Sequence, residues 1–231
     1  MRIAKNVALL PIKNGEGAEC FNLVLTWDDD NLVLIDAGFP SQTDAILSAI
    51  AAEGFRAENL THMIITHHDW DHVGCVPDLQ KLAPNVRMIA HVDESPYLDG
   101  RRLPVKVEAR LKEYDTLPED VRAFYDSWKK SYEDNPIHIT DQVTDGQVYP
   151  ICGGIEIVHV PGHTPGHIVV HLRDSGIMVC GDAANVDGNQ LVGANPIHTQ
   201  DLDLANQSLD KIKGYSVSGY VAYHTGYLPV P

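Results

Sequence analysis

Long apolar runs, clustered cysteines and basic tracts are all missing from this sequence, and each absence removes a class of function. The first apolar stretch, Val7 to Ile12, has only six residues and is broken by Pro11, too short for a signal-peptide core or a membrane span. A cytoplasmic protein with no membrane association is expected. The four cysteines, Cys20, Cys75, Cys152 and Cys180, lie far apart and form no CxxC pair, the pattern of reduced thiols in a reducing compartment. No basic run exceeds two residues, and 17 Lys and Arg face 32 Asp and Glu for a formal net charge of -15. Such a surface repels nucleic acid and anionic membranes, so the expected partner is a small molecule. Low-complexity tracts are missing too. With 44% hydrophobic and 21% charged residues over 231 positions, the chain has a globular composition and enough length to bury a core as one large domain or two small ones. Its oligomeric state is left open, with a homodimer admitted.

What is there is a mixed pattern of strands and helices. Phe21 to Trp27 and Asn31 to Ile35 are apolar β-forming runs joined by Asp28-Asp29-Asp30, which predicts a hairpin. Asp36-Ala37-Gly38 closes the second run, and Ser41 with Asp44 three residues later has the form of a capping box opening a helix over Ala45, Ile46, Ala49 and Ile50 that stops at Gly54. A short strand, His62 to Thr66, runs into a His and Asp cluster. A short helix at Pro77 to Ala83 and a strand at Arg87 to Ala90 follow. The polar stretch from about 91 to 135 has helical spacing at 105–111 and 121–128 and is expected to be a helical insertion near the active site of a single domain spanning 1–231. Strand signals return at 147–151, 155–160, 168–172 and 177–180, then a helix from Asp201 to about Gly214 and a strand at Tyr220 to Ala222 that delivers His224. The fold class is α/β, layered, with topology not fixed by periodicity alone.

The chemistry is concentrated in His67-His68-Asp69-Trp70-Asp71-His72, five potential ligand side chains within six positions. Three single candidates follow, each bracketed by turn-forming residues: His163 in Pro161-Gly162-His163-Thr164-Pro165-Gly166-His167, Asp182 in Cys180-Gly181-Asp182, and His224 in Tyr223-His224-Thr225-Gly226. Converging strand-end loops that each give one or two such donors, with glycine removing bulk, are how a metal site is assembled. Mixed imidazole and carboxylate suits Zn, Fe, Mn or Co.

Thr66-His67-His68-Asp69-Trp70-Asp71-His72, followed in order by His163, Asp182 and His224 and preceded by Leu34-Ile35-Asp36-Ala37-Gly38, resembles the signature of the metallo-β-lactamase-fold hydrolases, and the likeness covers nearly the whole chain. That resemblance implies an αββα sandwich of two mixed sheets flanked by helices, with a binuclear site at their shared edge. It places His67, the residue at 69 and His163 around one divalent ion, Asp71, His72 and His224 around a second, and Asp182 between both. Zn is the first expectation, with Fe or Mn as alternatives. The departure is Asp69, where the family usually has His. His68 competes for the role, but on an extended loop the residue two after His67 faces the same side and the next one points away. A third carboxylate makes the site harder and more neutral, favouring Fe or Mn relative to Zn.

The resemblance further implies hydrolysis by a bridging hydroxide of a lactone, ester or thioester, with Asp71 orienting a metal and shuttling a proton. A lactone heads that list, and a glyoxalase-II-like thioesterase is the nearest alternative within it. An iron-dependent oxidoreductase on the same fold, of the sulfur dioxygenase or diiron type, is the alternative from a different class. Tyr223, beside His224, can aim its hydroxyl at an oxyanion or serve as a core aromatic. Asp36 and His167 are either turn residues or partners of ligand histidines. His62, His91, His138, His159, His171 and His198 are read as structural or solvent-facing, and Cys75 as a small buried residue. Arg101, Arg102, Lys106 and Arg110 can recognise a substrate carboxylate or form a solvated helical face, the favoured reading. Tyr97, Phe124, Tyr125 and Trp128 either line a pocket or glue the insertion down.

Overall fold

The computed structural model describes residues 1–13, 15 and 20–231. The first sheet has seven strands in sequence order: β1 (Arg2–Ala4), β2 (Val7–Lys13), β3 (Cys20–Trp27), β4 (Leu32–Ile35), β5 (His62–Ile64), β6 (Arg87–His91) and β7 (Asp141–Val143). The first four are antiparallel neighbours, whereas β4 through β7 run parallel. Parallel pairing requires crossovers, which are supplied by α1 (Thr43–Ala52), by α2 (Trp70–Val73) with α3 (Val76–Leu82), and by α4 (Ser95–Leu98), α5 (Val105–Leu111) and α6 (Glu119–Asp134) between β6 and β7.

The second sheet is built from β8 (Val148–Tyr149), β9 (Ile155–His159), β10 (Ile168–Leu172) and β11 (Ile177–Val179), and then, after a separate hairpin of β12 (Ala184–Asp187) and β13 (Gln190–Gly193) and helix α7 (Leu202–Lys213), from β14 (Gly219–Ala222) and β15 (Gly226–Pro229). Its order is β15-β14-β11-β10-β9-β8, with β11 parallel to β14.

Side-chain alternation turns these sheets into four layers. Along β3, Leu23 and Leu25 face the helices, while Val24 faces the other sheet together with Val33, Ile64 and Ile89. That inner layer meets Ile155, Ile157, Ile168, Val170 and Val179 of the second sheet, whose outer residues Val158, Val169 and Met178 pack under Leu209 and Ile212 of α7. The result is the αββα sandwich expected from the family resemblance, with two sheets face to face and helices outside. No helix among the described residues is long and apolar enough to cross a membrane.

Most of the expected elements are present, with local corrections. The capping box at Ser41 does not form: Ser41 adopts φ 76° and the helix starts from Gln42, whose side chain accepts from the Phe39 N–H at 2.8 Å instead. The strand expected at 147–151 shrinks to two residues. A single helical turn, α2, lies inside the His and Asp cluster itself.

Parallel strands leave a sheet at a common edge, and that rule positions the site. The chain exits β4 into Asp36, β5 into Thr66 and His67, β11 into Asp182, and β14 into His224. The two sheets are joined at this edge by hydrogen bonds from the Ile168 N–H to the Thr66 carbonyl, 3.0 Å, and from the Asn22 N–H to the Tyr223 carbonyl, 2.8 Å. Near the opposite edge, Asp28 accepts from the Cys152 N–H at 2.6 Å.

Candidate metal centre

Each donor is held by its own strand end. Asp36, at φ 62°, accepts from both the N–H and the hydroxyl of Thr66 and reaches Nδ1 of His72 at 2.9 Å. That contact turns Nε2 of His72 inward, as a carboxylate behind a ligating histidine does. The Thr66 hydroxyl also lies 3.0 Å from Nδ1 of His67, so that ring too presents Nε2. The turn of α2 then sets Asp69 before it and Asp71 and His72 within it.

Two groups of donors result. His67, Asp69, His163 and Asp182 bring their ligand atoms within 4.8 Å of one another, and Asp71, His72 and His224 do the same. In the first, Oδ2 of Asp69 is 3.1 Å from His67 Nε2 and 3.0 Å from His163 Nε2. In the second, Oδ2 of Asp71 is 3.3 Å from His224 Nε2 and 3.7 Å from His72 Nε2. Asp182 faces both: its Oδ2 is 3.5 Å from His163 Nε2, and its Oδ1 is 3.3 Å from the Nε2 atoms of His72 and His224. All the candidate residues expected from the sequence therefore meet, except for the Tyr223 hydroxyl.

That hydroxyl donates to the Asp71 carbonyl at 2.6 Å, and the ring is buried between Phe21 and His72. It braces the α2 turn. His68 turns the other way from His67 and Asp69: its ring lies on Tyr97, its Nδ1 and backbone N–H contact Glu94 Oε1, and its Nε2 accepts from the Val105 N–H at 3.2 Å. The other oxygen of Glu94 accepts from the Thr164 hydroxyl and the Gly166 N–H. A Cβ at Gly166 would stand 2.4 Å from Glu94 N, so only glycine admits this approach. Glu94 thus ties the His67–His72 loop to the loop carrying His163.

The centre suits cations. Among the described residues, buried His67 Nε2, Asp69 Oδ1, His72 Nε2 and Asp182 Oδ1 find no well-aligned hydrogen bond and face chiefly one another, an arrangement that costs free energy unless something else satisfies them. Burial and the neighbouring His72 push the His67 imidazole well below its ordinary range, leaving it neutral and able to coordinate. Burial would raise Asp182, but the surrounding histidines hold it well below the usual carboxylate range. Burial would also lower His224, but Asp182 and Asp71 raise it to about 10. The donor set of four imidazoles and three carboxylates suits divalent metal ions.

Several neighbours have roles that the sequence did not assign. Lys106 of α5 places its ammonium on Asp69 Oδ2 and 3.2 Å from His163 Nε2. His167 accepts the Asp182 N–H at 3.1 Å and stacks on His67; burial and nearby His163 keep it neutral. His198, expected to be structural or solvent-facing, is exposed and also lines a cavity of about 380 Å³ beside His163. Its position after the β12–β13 hairpin gave no signal in the sequence. Arg101 pairs with Asp99, and Arg102 lies over the Tyr97 ring. Tyr125 lines the cavity, while Trp128 and Tyr97 are buried and hold α4 and α6 down. A third group, His91, Asp93 and His159, is set apart from this centre, its two rings stacked 3.9 Å apart at 12° with their lone pairs confined to nearly parallel planes rather than aimed across them.

Comparison with known proteins agrees with this arrangement. The chain is 25% identical over 225 residues to the probable metallo-hydrolase YflN of Bacillus subtilis (strain 168), covering 90% of this chain and 80% of that one. It is 26% identical over 193 residues to an atrochrysone carboxyl ACP thioesterase of Cryptosporiopsis sp. (strain 8999), spanning 82% of this chain but only 46% of that protein. Its fold matches a metallo-beta-lactamase family protein from Thermus thermophilus with a TM-score of 0.77 at 22% identity, over 99% of this chain and 76% of that one. The family model for the metallo-beta-lactamase superfamily matches residues 20–224, and the chain belongs to that superfamily.

Proposed function

We propose that this chain is a metal-dependent hydrolase that holds two divalent ions and cleaves a small ester, thioester or lactone. The observation that carries the reading is Asp182, which offers one oxygen to each of two donor groups at 3.3 to 3.5 Å. His67, Asp69 and His163 would hold the first ion, Asp71, His72 and His224 the second, and Asp182 both. The chemistry such ions would supply, if bound there, is a nucleophilic hydroxide near neutral pH and polarisation of the substrate carbonyl.

The protein residues do the rest. Asp36 fixes His72, Thr66 fixes His67, and His167 fixes Asp182 through its backbone N–H, which keeps the donors within the tolerance that catalysis demands. Asp71, more exposed than Asp69 or Asp182 at 24%, has an open side toward water and is the group suited to carry a proton to the leaving group. Tyr223 acts here as a positioning residue. Among acyl substrates, the relative named a thioesterase supports placing thioesters beside the lactones favoured from sequence.

Elemental analysis of protein purified without added metal or chelator tests the reading. Two ions per chain, with esterase or thioesterase activity abolished by chelation and by Asp182→Asn, is the expected result. A single iron per chain with oxygen consumption and no hydrolysis overturns it in favour of the oxidoreductase.

A further inference from the structure

The helical segment between β6 and β7 does more than cover the sandwich. The cavity of about 380 Å³ is walled on one side by α5 and on the other by the stretch around His198, and His163 is common to it and to the first donor group. A molecule in this space therefore reaches the centre directly. Its size is that of an ordinary small-molecule pocket. Val105, Ala109, Tyr125 and Ile197 give it apolar walls, while Lys106 and Arg110 bring cationic groups to it. Four residues apart on one helix, those two side chains share a face. In a chain of net charge -15 with only 17 Lys and Arg, two cations beside the centre are a local reversal of sign.

We propose that Lys106 and Arg110 form a receptor for a carboxylate on the acyl part of the substrate, so that the centre prefers half-esters or half-thioesters of short dicarboxylic acids. This rests on the hydrolase reading above and adds the substrate class. Lys106 now leans on Asp69. An ion held by His67, Asp69 and His163 would take over that carboxylate's charge and repel the ammonium, leaving it to the cavity it already lines. Glu113, 3.8 Å from Arg110 and also at the cavity, trims the positive charge to about that needed by a single carboxylate. A phosphate dianion fits this balance less well. None of the segment's other basic residues lines the cavity: Arg101 pairs with Asp99, Arg102 lies over Tyr97, Arg122 over Tyr114, and Lys129 and Lys130 pair with Glu133 and Asp134.

The test compares succinate with butyrate, which differ by one carboxylate in place of a methyl, as ligands of the metal-loaded protein in calorimetric titration. Succinate is expected to bind about tenfold tighter or more, the scale of one charge-assisted hydrogen bond. The preference should shrink toward unity in Lys106→Met and in Arg110→Gln, and Lys106→Arg should restore part of it. Arg110 is half exposed, so its variant keeps the test decisive if Lys106→Met folds poorly. Equal binding of the two acids, or a preference that neither variant changes, overturns the proposal. Turnover of succinyl and butyryl thioesters separates the two readings. Turnover of both at equal kcat/KM removes the receptor and keeps the hydrolase. A succinate preference lost in the variants, with neither thioester cleaved, removes the hydrolase and keeps the receptor.

Discussion

Nζ of Lys106 lies 3.2 Å from Nε2 of His163, against the donor group of His67, Asp69, His163 and Asp182 that would hold the first of the two proposed ions. An ammonium on Asp69 there competes with a metal for the same carboxylate. Replacing Lys106 by Met is expected to tighten the first ion by about tenfold, a change of about 1.4 kcal/mol, in a competition titration against a chelating dye. The metal-free variant should meanwhile lose about 2 kcal/mol of stability, because Asp69 is left buried without its partner. Unchanged affinity would mean that Lys106 yields the position at no cost.

Asp69 stands where an imidazole would make the donor set softer. Asp69→His should raise the share of Zn over Fe and Mn in elemental analysis of protein grown on mixed metals. An identical metal profile for the two proteins would show that position 69 does not set selectivity.

The Tyr223 hydroxyl is spent on the Asp71 carbonyl, so Tyr223→Phe should cost about 1 kcal/mol in urea unfolding and lower kcat by less than about tenfold. A donor to the oxyanion would cost about a hundredfold or more. A loss of that size in kcat with stability intact would restore the catalytic role.

Glu94 accepts from His68, Thr164 and Gly166 and so holds together two loops that carry candidate metal donors. Glu94→Gln turns one acceptor into a donor facing N–H groups. It should cost about 2–3 kcal/mol and weaken metal binding, although Glu94 is itself outside both donor groups. Native-like metal affinity in a destabilised variant would separate the two loops' roles.

Burial would raise the Asp28 carboxyl, but hydrogen bonds from Cys152, Asn31 and Asp30 hold it below the ordinary carboxylate range. A depressed folded-state value means that its contribution is present above about pH 4 and is lost as pH falls through that lower value. Asp28→Asn should therefore lower stability at pH 7 by about 1 kcal/mol, a figure already reduced for solvent screening, with the gap to the native protein closing in acid. A gap constant between pH 7 and pH 2 would assign the effect to packing.

The strands of the inner layer were legible because β-branched runs such as Ile155 to Val160 and Ile168 to Leu172 have no helical reading. The donors were legible because each sits at the end of such a run. What escaped was long-range. Nothing near Glu94 announces that His68, 26 residues earlier, will meet it, and Lys106 looked like one of four basic residues on a solvated face. Ser41 failed as a cap for a local reason, since its left-handed backbone gave the role to Gln42. Pairing across the sandwich decides these cases, and pairing leaves no periodic trace.

Because the donors leave both sheets, from the end of β5 to the turn after β14, ions held between them would act as cross-links closing loops over most of the chain. A cross-link of that span removes conformational freedom chiefly from the unfolded chain, and its binding free energy adds to that of folding. Stripping the metal should then appear as earlier melting of the whole sandwich, so heat resistance becomes a gauge of how fully the centre is loaded.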